Sequence, residues 1–558
     1  MIFYALSPVQ QQRDRKREEY YEPIEEIVKE AVYEPQREEG VTVDLPLYSL
    51  FISQKGGIRS CRLKEYKVRK AGIKQLEQQL KSLIANAMGR GGKDTTHLLY
   101  SIKKLRYTLE YLRSYRGQKG LELISFSQLY HQSLPPFIEF RDEGNNPVWK
   151  EQGTYEISQE TPYKLSLSRK ILGDIKLTKY YRFDPDSYLI QLKVILENIG
   201  EKIHPPRDML IICGPDIGID EGLRAYTYQG PMMLIDGKLR REQPSRKVER
   251  KTVENIEYGK VSWVALQDKY FAEVLIPYDS VRRAYLKKNE MDEFSVGLKV
   301  EVPSLKPGER EEFNFGMYFG PKKFESIEKI GGDLVKIVDY GFFGNLFRLI
   351  YILKFFYRLT HNYGLAIICL TVLINMILFP LSFKSFKSMK EMRKLQPEME
   401  RIRRQFKDDP QKMNREVMEL YRRHKVNPAG GCLPMIFQMP IFIGLFMTLR
   451  SATELRGAHF VGWISDLSLP DTLLYLPFSI PFLGSSLNIL PLIMTGVTFL
   501  QQKISGGGGS SKMMLFFPLF LLFIFYNFPS GLVLYFLCSN GINMLEQLWI
   551  GRMGTKKV

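Results

Sequence analysis

Beyond residue 362 the chain loses its charges in four long runs: Tyr363–Phe383, Cys432–Leu449, Thr472–Gln502 and Met513–Leu545, of 21, 18, 31 and 33 residues. About 20 apolar residues make a helix that crosses a bilayer, so the first two runs each predict one span, 363–383 and 432–449. The third is too long for one span. Pro477, Pro481 and Gly484-Ser485-Ser486 break it, predicting an apolar re-entrant or surface loop and then a span over about 487–501. Asn527-Phe528-Pro529-Ser530-Gly531 interrupts the fourth as a tight turn, leaving spans over about 513–526 and 532–549 in a hairpin. The pattern predicts five spans.

Before residue 340 the periodicity is different. Val41–Ser53 alternates apolar and polar positions and runs into Gly56-Gly57, a strand-and-turn signal. Similar runs begin at Tyr163, Tyr188, Val261, Phe271 and Phe294. Many short strands separated by Gly and Pro turns predict an all-β sandwich over 41–325. One segment departs from it. Leu76, Leu80 and Leu83, a Gly-rich break at 89–92, then Leu98, Leu99, Ile102, Leu105, Leu109 and Leu112 predict a helical hairpin inserted at about 71–115. Residues 1–40 read as the remnant of an apolar helix, Met1–Val9, and a mixed-charge linker.

The basic segment between the first two spans, 384–428, has its own pattern. Met392, Leu395, Met399, Ile402 and Phe406 recur at helical spacing, as do Met413, Val417, Leu420 and His424. Lys407-Asp408-Asp409-Pro410 between them offers an Asp cap and a Pro at the first helical position. The expectation is a two-helix antiparallel coiled-coil hairpin. Gly344–Leu359, apolar apart from Asn345, Arg348, Lys354 and Arg358, predicts a helix lying in the membrane interface within 326–362, its cations toward the headgroups.

Net charge then orients the molecule. The +18 total is uneven: 361–558 holds 21 Lys and Arg against 11 Asp and Glu. Residues 382–431 alone hold 14 against 7, which by the positive-inside rule makes the hairpin cytoplasmic, 41–325 extracytoplasmic and the basic tail 551–558 cytoplasmic. The Gly506–Gly509 run reads as a flexible cytoplasmic loop or an engineered linker.

Candidate chemistry is sparse. Five Cys in 558 residues exclude a disulfide scaffold, though Cys61 and Cys213 can pair outside the cytoplasm. His97, His131 and His204 are isolated, and Gly89-Arg90-Gly91-Gly92-Lys93 lacks phosphate-loop spacing. No catalytic set, metal cluster or cofactor motif is found, and the hairpin lacks the interleaved aromatics of a nucleic-acid binder. The notable residues are amides and hydroxyls inside apolar runs: Thr371, Asn375, Gln438, Thr495, Thr498 and Asn540, among others. An unpaired amide in hydrocarbon costs about 2–7 kcal/mol, so these groups join helices or line a wet cavity.

Gly430-Gly-Cys-Leu-Pro-Met-Ile-Phe-Gln-Met-Pro-Ile-Phe442 resembles the second core span of the YidC/Oxa/Alb membrane protein insertases. Lys390–Pro397, Lys425–Gly431 and Phe528-Pro-Ser-Gly-Leu-Val-Leu-Tyr535 match that family in the right order. Ile52–Gly57 and Gly259–Phe271 extend the resemblance loosely into the β region, as in members with a large periplasmic domain. The resemblance implies a bacterial inner-membrane insertase and chaperone, not an enzyme. It implies a hydrophilic groove open to cytoplasm and bilayer, working without nucleotide hydrolysis. Its clients are nascent membrane proteins, and its partners the bilayer, with a Sec translocon and the ribosome as further candidates. Client-contacting positions are then Thr371, Cys432, Pro434, Tyr535 and Phe536. Three departures from the family stand out: the short Met1–Val9, the 71–115 insertion, and Asn375 where a groove arginine is usual. A channel or passive transporter, and a membrane-anchored carbohydrate-binding protein, are the competing readings.

Overall fold

A computed structural model of the chain describes residues 38–67, 76–77, 79–84, 96–114, 119–124, 128, 134–218, 229–242, 252–338, 340–407, 409–424, 426, 433–480, 483–505 and 511–553. The N-terminal remnant, most of the linker, the 89–92 break, Cys432, Gly506–Gly509 and the end of the basic tail lie outside these. The chain divides into two compact units after Val338.

Among the described residues, the first unit is built from three antiparallel sheets of nine, six and four strands. Two strands show why its core closes. Val261–Gln267 and Phe294–Val302 belong to the nine- and six-stranded sheets and are buried at nearly every position. Both faces of these strands are therefore covered, and Lys299, 6% exposed on the second, is paired with Asp208 at 3.0 Å. Trp263, Tyr181 and Tyr318 fill the interior with no more than 1% exposure. Lys179, fully buried, is satisfied in place: its ammonium donates to the Gly56 and Pro136 carbonyls, each at 2.7 Å, and pairs with Glu151.

The expected strand over 41–53 is two, Gly40–Asp44 and Tyr48–Ser53, paired as a hairpin. Pro46 at the turn has no N–H to give to a ladder. Of the inserted helical hairpin the second arm is α1, Thr96–Ser114; of the first, residues 76–77 and 79–84 are described and helical. Arg113 meets Glu77 at 2.6 Å across the two arms. Lys104 of α1 reaches Asp216 at 2.7 Å and Glu293 at 2.9 Å, and Tyr100 donates to Glu293. Burial alone would lower the Lys104 ammonium, but these carboxylates carry it above its ordinary value. Cys61 and Cys213 are buried free thiols, not a disulfide. The segment assigned to a linker after 325 begins inside this unit: α2, Phe324–Glu328, and a short 3-10 turn at Leu334–Ile337 bury Ile327, Leu334 and Ile337.

The second unit is helical: α3 Gly341–Leu346, α4 Leu349–Thr360, α5 Tyr363–Lys394, α6 Gln396–Gln405, α7 Pro410–Arg423, α8 Leu433–Ser451, α9 Leu490–Ser505, α10 Ser511–Phe525 and α11 Ser530–Met553. Among the described residues, one helix, over Tyr363–Met392, is long and apolar enough by itself to cross a membrane; Ile436–Ser451 and Phe516–Phe525 are shorter apolar helices. The outward surface is apolar: Met376, Ile377, Ile436, Phe437, Phe516, Phe523 and Leu545 are each more than half exposed. Such a surface is stable against lipid and a liability in water.

Three expectations change here. The interfacial helix is two helices, α3 and α4, separated by a left-handed Arg348 at φ 47°. That turn re-phases the chain, so that Gly344 is buried in α3 and Leu349, Ile350 and Leu353 in α4. Tyr351, Phe355 and Leu359 then form an exposed apolar stripe of α4 at i, i+4 spacing, and Phe347 is exposed just before the turn. Lys354 does not turn outward with Arg358; it pairs with buried Glu454 at 2.7 Å. Thirdly, the broken stretch after Asp471 is a β-hairpin, Thr472–Ile480 against Gly484–Asn488. The next helix starts at Leu490 because the Asp471 carboxylate accepts from the Ile489 and Leu490 amides, at 2.9 and 2.6 Å. Burial raises the Asp471 carboxyl, against the pull of these donors.

Candidate functional site

The residues with chemistry in the second unit lie on facing stripes of its apolar helices. On α5 the buried polar positions are Thr371, Asn375, Ser382 and Ser385, with exposures of 0–6%. Steps of 4, 7 and 3 keep them on one helical face. Pro380 lies within α5 without ending it. On α11 the corresponding face carries Tyr535, Ser539 and Glu546.

Three helices meet at Ser539. The Asn375 amide donates to the Thr371 carbonyl at 2.8 Å and stands 3.4 Å from the Ser539 hydroxyl. That hydroxyl also faces the Asn375 Oδ1 at 3.4 Å, and Gln438 of α8 donates to it at 3.3 Å. Tyr535, 1% exposed, places its ring one turn away, with Gln438 and Ser539 as polar neighbours. The long separations, near the limit of a hydrogen bond, mark a loosely tied cluster. A second tie lies on α9: Asn540 donates to Thr498 at 2.9 Å, and Thr498 donates to its own Met494 carbonyl. Adjacent residues of α11 thus face different helices.

Aromatic packing closes the cluster on the Phe528 side. Phe536 meets Phe442 of α8 at 4.8 Å and Phe525 of α10 at 4.5 Å, and Phe528 reaches Phe446 at 5.7 Å and Phe525 at 5.0 Å. Toward Met553, Phe379 of α5 meets Trp549 of α11 at 6.1 Å.

The structure therefore brings Thr371, Asn375, Gln438 and Tyr535 together, and Thr498 with Asn540. It leaves others apart. Phe536 belongs to the aromatic packing, and Thr495 donates to its own Pro491 carbonyl. Pro434 lies in the first turn of α8, and Cys432 falls outside the described residues. Ser539, Ser382, Ser385 and Glu546 escaped the sequence reading. Their helical spacing from Tyr535 and Asn375 was the available signal.

The basic hairpin is α6 and α7. Asp409 caps α7, its carboxylate accepting from the Lys412 amide at 3.0 Å, with Pro410 in the first turn. Of the expected seam, Leu395 and Leu420 are buried, and Met399, Ile402, Met413 and Val417 are half-buried. The Tyr421 hydroxyl donates to the Met399 sulfur at 2.9 Å. Met392 sits in the last turns of α5, since that helix continues past its apolar run and breaks only at Leu395. Among the described residues no group of three or more His, Cys, Asp or Glu is placed to hold a metal ion.

Comparison with known proteins covers both units. The model of the 60Kd inner membrane protein family matches residues 355–557, and that of the YidC periplasmic domain matches 137–353. The membrane protein insertase YidC of Geobacter sp. strain M21 is 32% identical over 524 residues, 92% of this chain and 85% of its own. That of Syntrophus aciditrophicus strain SB is 36% identical over 391 residues, 68% of each chain. A crystal structure of an active YidC insertase with its first transmembrane domain resolved aligns with 91% of this chain and 92% of its own, at 17% identity and a TM-score of 0.36.

Proposed function

The chain belongs to the YidC family of membrane protein insertases, inner-membrane proteins with a periplasmic domain, and from that premise we propose how its second unit works. Helices α5, α8, α9, α10 and α11 are the five spans. The α6–α7 hairpin and the C-terminus lie in the cytoplasm, residues 41–325 in the periplasm. The exposed stripe Tyr351, Phe355 and Leu359 of α4 rests in the outer interface.

The observation that carries the reading is the polar cluster shared by three otherwise apolar helices. Asn375, Gln438 and Ser539 are neutral, weakly tied and backed by aromatic rings on one side. A client's hydrophobic segment slides along the apolar outer faces of α5 and α8 while its polar flank exchanges water for these amides and hydroxyls. Thr371, Cys432, Pro434, Tyr535 and Phe536 flank that path, with Thr495, Thr498 and Asn540 on its α9 side. The energetics need no nucleotide. A 20-residue Leu-rich segment gains roughly 6–12 kcal/mol on entering the bilayer. Each charge in its flank costs about 2.5–3.5 kcal/mol at mid-membrane. The gain therefore covers a short flank with two or three charges, and a polar waypoint lowers the barrier further. No reaction is catalysed and no cofactor is required. A Sec translocon and the ribosome are additional partners, met through the cytoplasmic hairpin and the outer faces of the spans.

A photo-crosslinking residue tests the path. Placed at Gln438 or Phe536 it should capture a stalled single-span client, whereas at Leu545 or Phe342 it should capture lipid. Capture of client at all four positions alike would contradict a defined path.

A further inference from the structure

The polar face of α11 continues past the cluster. Tyr535, Ser539 and Glu546 are 4 and 7 residues apart, so Glu546 lies on the same face as Ser539, two turns or about 10 Å further along. Ser382 stands in the same relation to Asn375 on α5. Helices α8, α9 and α10 contain no Asp or Glu, nor does α5 before Glu391, and Glu546 is the only acid in α11. Its Oε2 is buried and has no hydrogen-bond partner among the described residues. No described Lys, Arg or His forms an ion pair with it. Lys384 and Lys387, the cations nearest to Ser382 and Ser385 on α5, are exposed and point off that face.

Glu546 is half-buried, and a carboxylate oxygen held away from water without a partner is costly; a cation with hydrogen bonds to give offsets that cost. Everything else along the polar stripe is neutral: Thr371, Asn375, Gln438, Ser539, Ser382 and Ser385. The stripe therefore has one ionisable group, and it is an acid. In the topology proposed above, Glu546 lies at the cytoplasmic end of the spans. There a client keeps the flank that does not cross, and by the positive-inside rule this flank is rich in Lys and Arg. We infer that Glu546 is an acidic docking point that holds the Lys- or Arg-bearing cytoplasmic flank of a client while its hydrophobic segment enters the bilayer. This inference rests on the insertase reading and adds to it a basis for client choice and orientation.

The test uses the full chain in proteoliposomes and one single-span client in three versions, with three Lys, three Gln or three Glu in the retained flank. With E546Q, insertion of the Lys-flanked client should fall about fivefold, as loss of a ~1 kcal/mol ion pair gives, and that of the Gln-flanked client should stay within about twofold. With E546K the preference should invert, the Glu-flanked client inserting faster than the Lys-flanked one. Because the readout is a ratio between clients on the same preparation, a partly misfolded variant does not mimic it. Equal slowing of all three clients by E546Q would make Glu546 structural, or a partner of the chain's own basic tail, and would overturn the inference. So would an unchanged Lys-flanked rate. If the wild-type protein inserted none of the three, the insertase reading itself would fail and take this inference with it.

Discussion

Glu273 gives the periplasmic unit a pH dependence that can be calculated. It sits in the strand Phe271–Pro277, an inner strand of the nine-stranded sheet, 1% exposed and with no cation paired to it among the described residues. Burial raises its carboxyl to about 7 from 4.5, even though hydrogen bonds from Cys213 and from Gln128, the latter at 2.9 Å, pull it down. One pH unit is worth about 1.4 kcal/mol, so the interval corresponds to roughly 3 kcal/mol. The folded state holds the proton more tightly than the unfolded chain. The contribution of this group to stability is therefore greatest below about pH 4.5, declines as pH rises to about 7, and is flat beyond. Glu273→Gln keeps the size and an acceptor for Gln128 and cannot ionise. The variant should match the wild type at pH 4 and exceed it by about 3 kcal/mol at pH 8. The assay is urea unfolding of the full-length protein in detergent, with Trp463 and Trp549 replaced by Phe so that Trp149 and Trp263 report on this unit alone. A stability difference that does not change between pH 4 and pH 8 would refute the reasoning, because a packing effect of the amide carries no proton.

Other substitutions test separate parts. A Cβ at Gly444 would lie 3.0 Å from the Phe343 backbone and 3.1 Å from the Gly344 nitrogen. Gly444→Ala should cost about 1–3 kcal/mol of thermal stability in detergent, while Gly496→Ala, which meets nothing within 4 Å, should not. Ser539→Val leaves the Asn375 and Gln438 amides without their shared hydroxyl; each lost bond between helices is worth roughly 1 kcal/mol, so the melting temperature should fall by a few degrees and insertion per folded molecule should slow severalfold. Lys104→Met removes the cation that Asp216 and Glu293 share, and limited proteolysis should then cut within 96–114, the cost being about 2 kcal/mol after allowing for partial exposure. Asp409→Ala removes the cap of α7, about 1 kcal/mol, and should raise amide exchange in its first turn.

The membrane half was legible in outline because lipid and protein interior both demand apolar side chains, so the helices show as uninterrupted uncharged runs. Their ends were less legible. Helix α5 runs on to Lys394 because its polar turns beyond Phe383 suit a helix outside the bilayer equally well. The β unit announced itself at Val261, where two-sided burial makes the strand mostly apolar, and at Phe294, where apolar and polar positions alternate, but Pro46 splits what alternation alone joins. The turn at Arg348 has no sequence signature, since a left-handed arginine is imposed by packing on either side of it. In the candidate site, Asn375 and Gln438 stood out because an amide in an apolar run is costly. Ser539 did not, because a serine can satisfy itself on its own helix; only the meeting of α5, α8 and α11 makes it the shared partner. Glu546 lies one residue past the last uncharged run, where counting charges places it outside the membrane and helical phase places it on the polar stripe.

The central claim is that this protein alone, without nucleotide, moves a client's span from water into the bilayer. Purified full-length protein in liposomes, given a single-span client made in a ribosome-free form, tests it by protease protection of the client's hydrophobic segment. The account predicts protection with no ATP or GTP present and with no imposed membrane potential. It also predicts that protection scales with the number of protein copies per vesicle and is reduced severalfold by Ser539→Val. Protection that appeared only on nucleotide addition, or that was equal in empty liposomes, would contradict it.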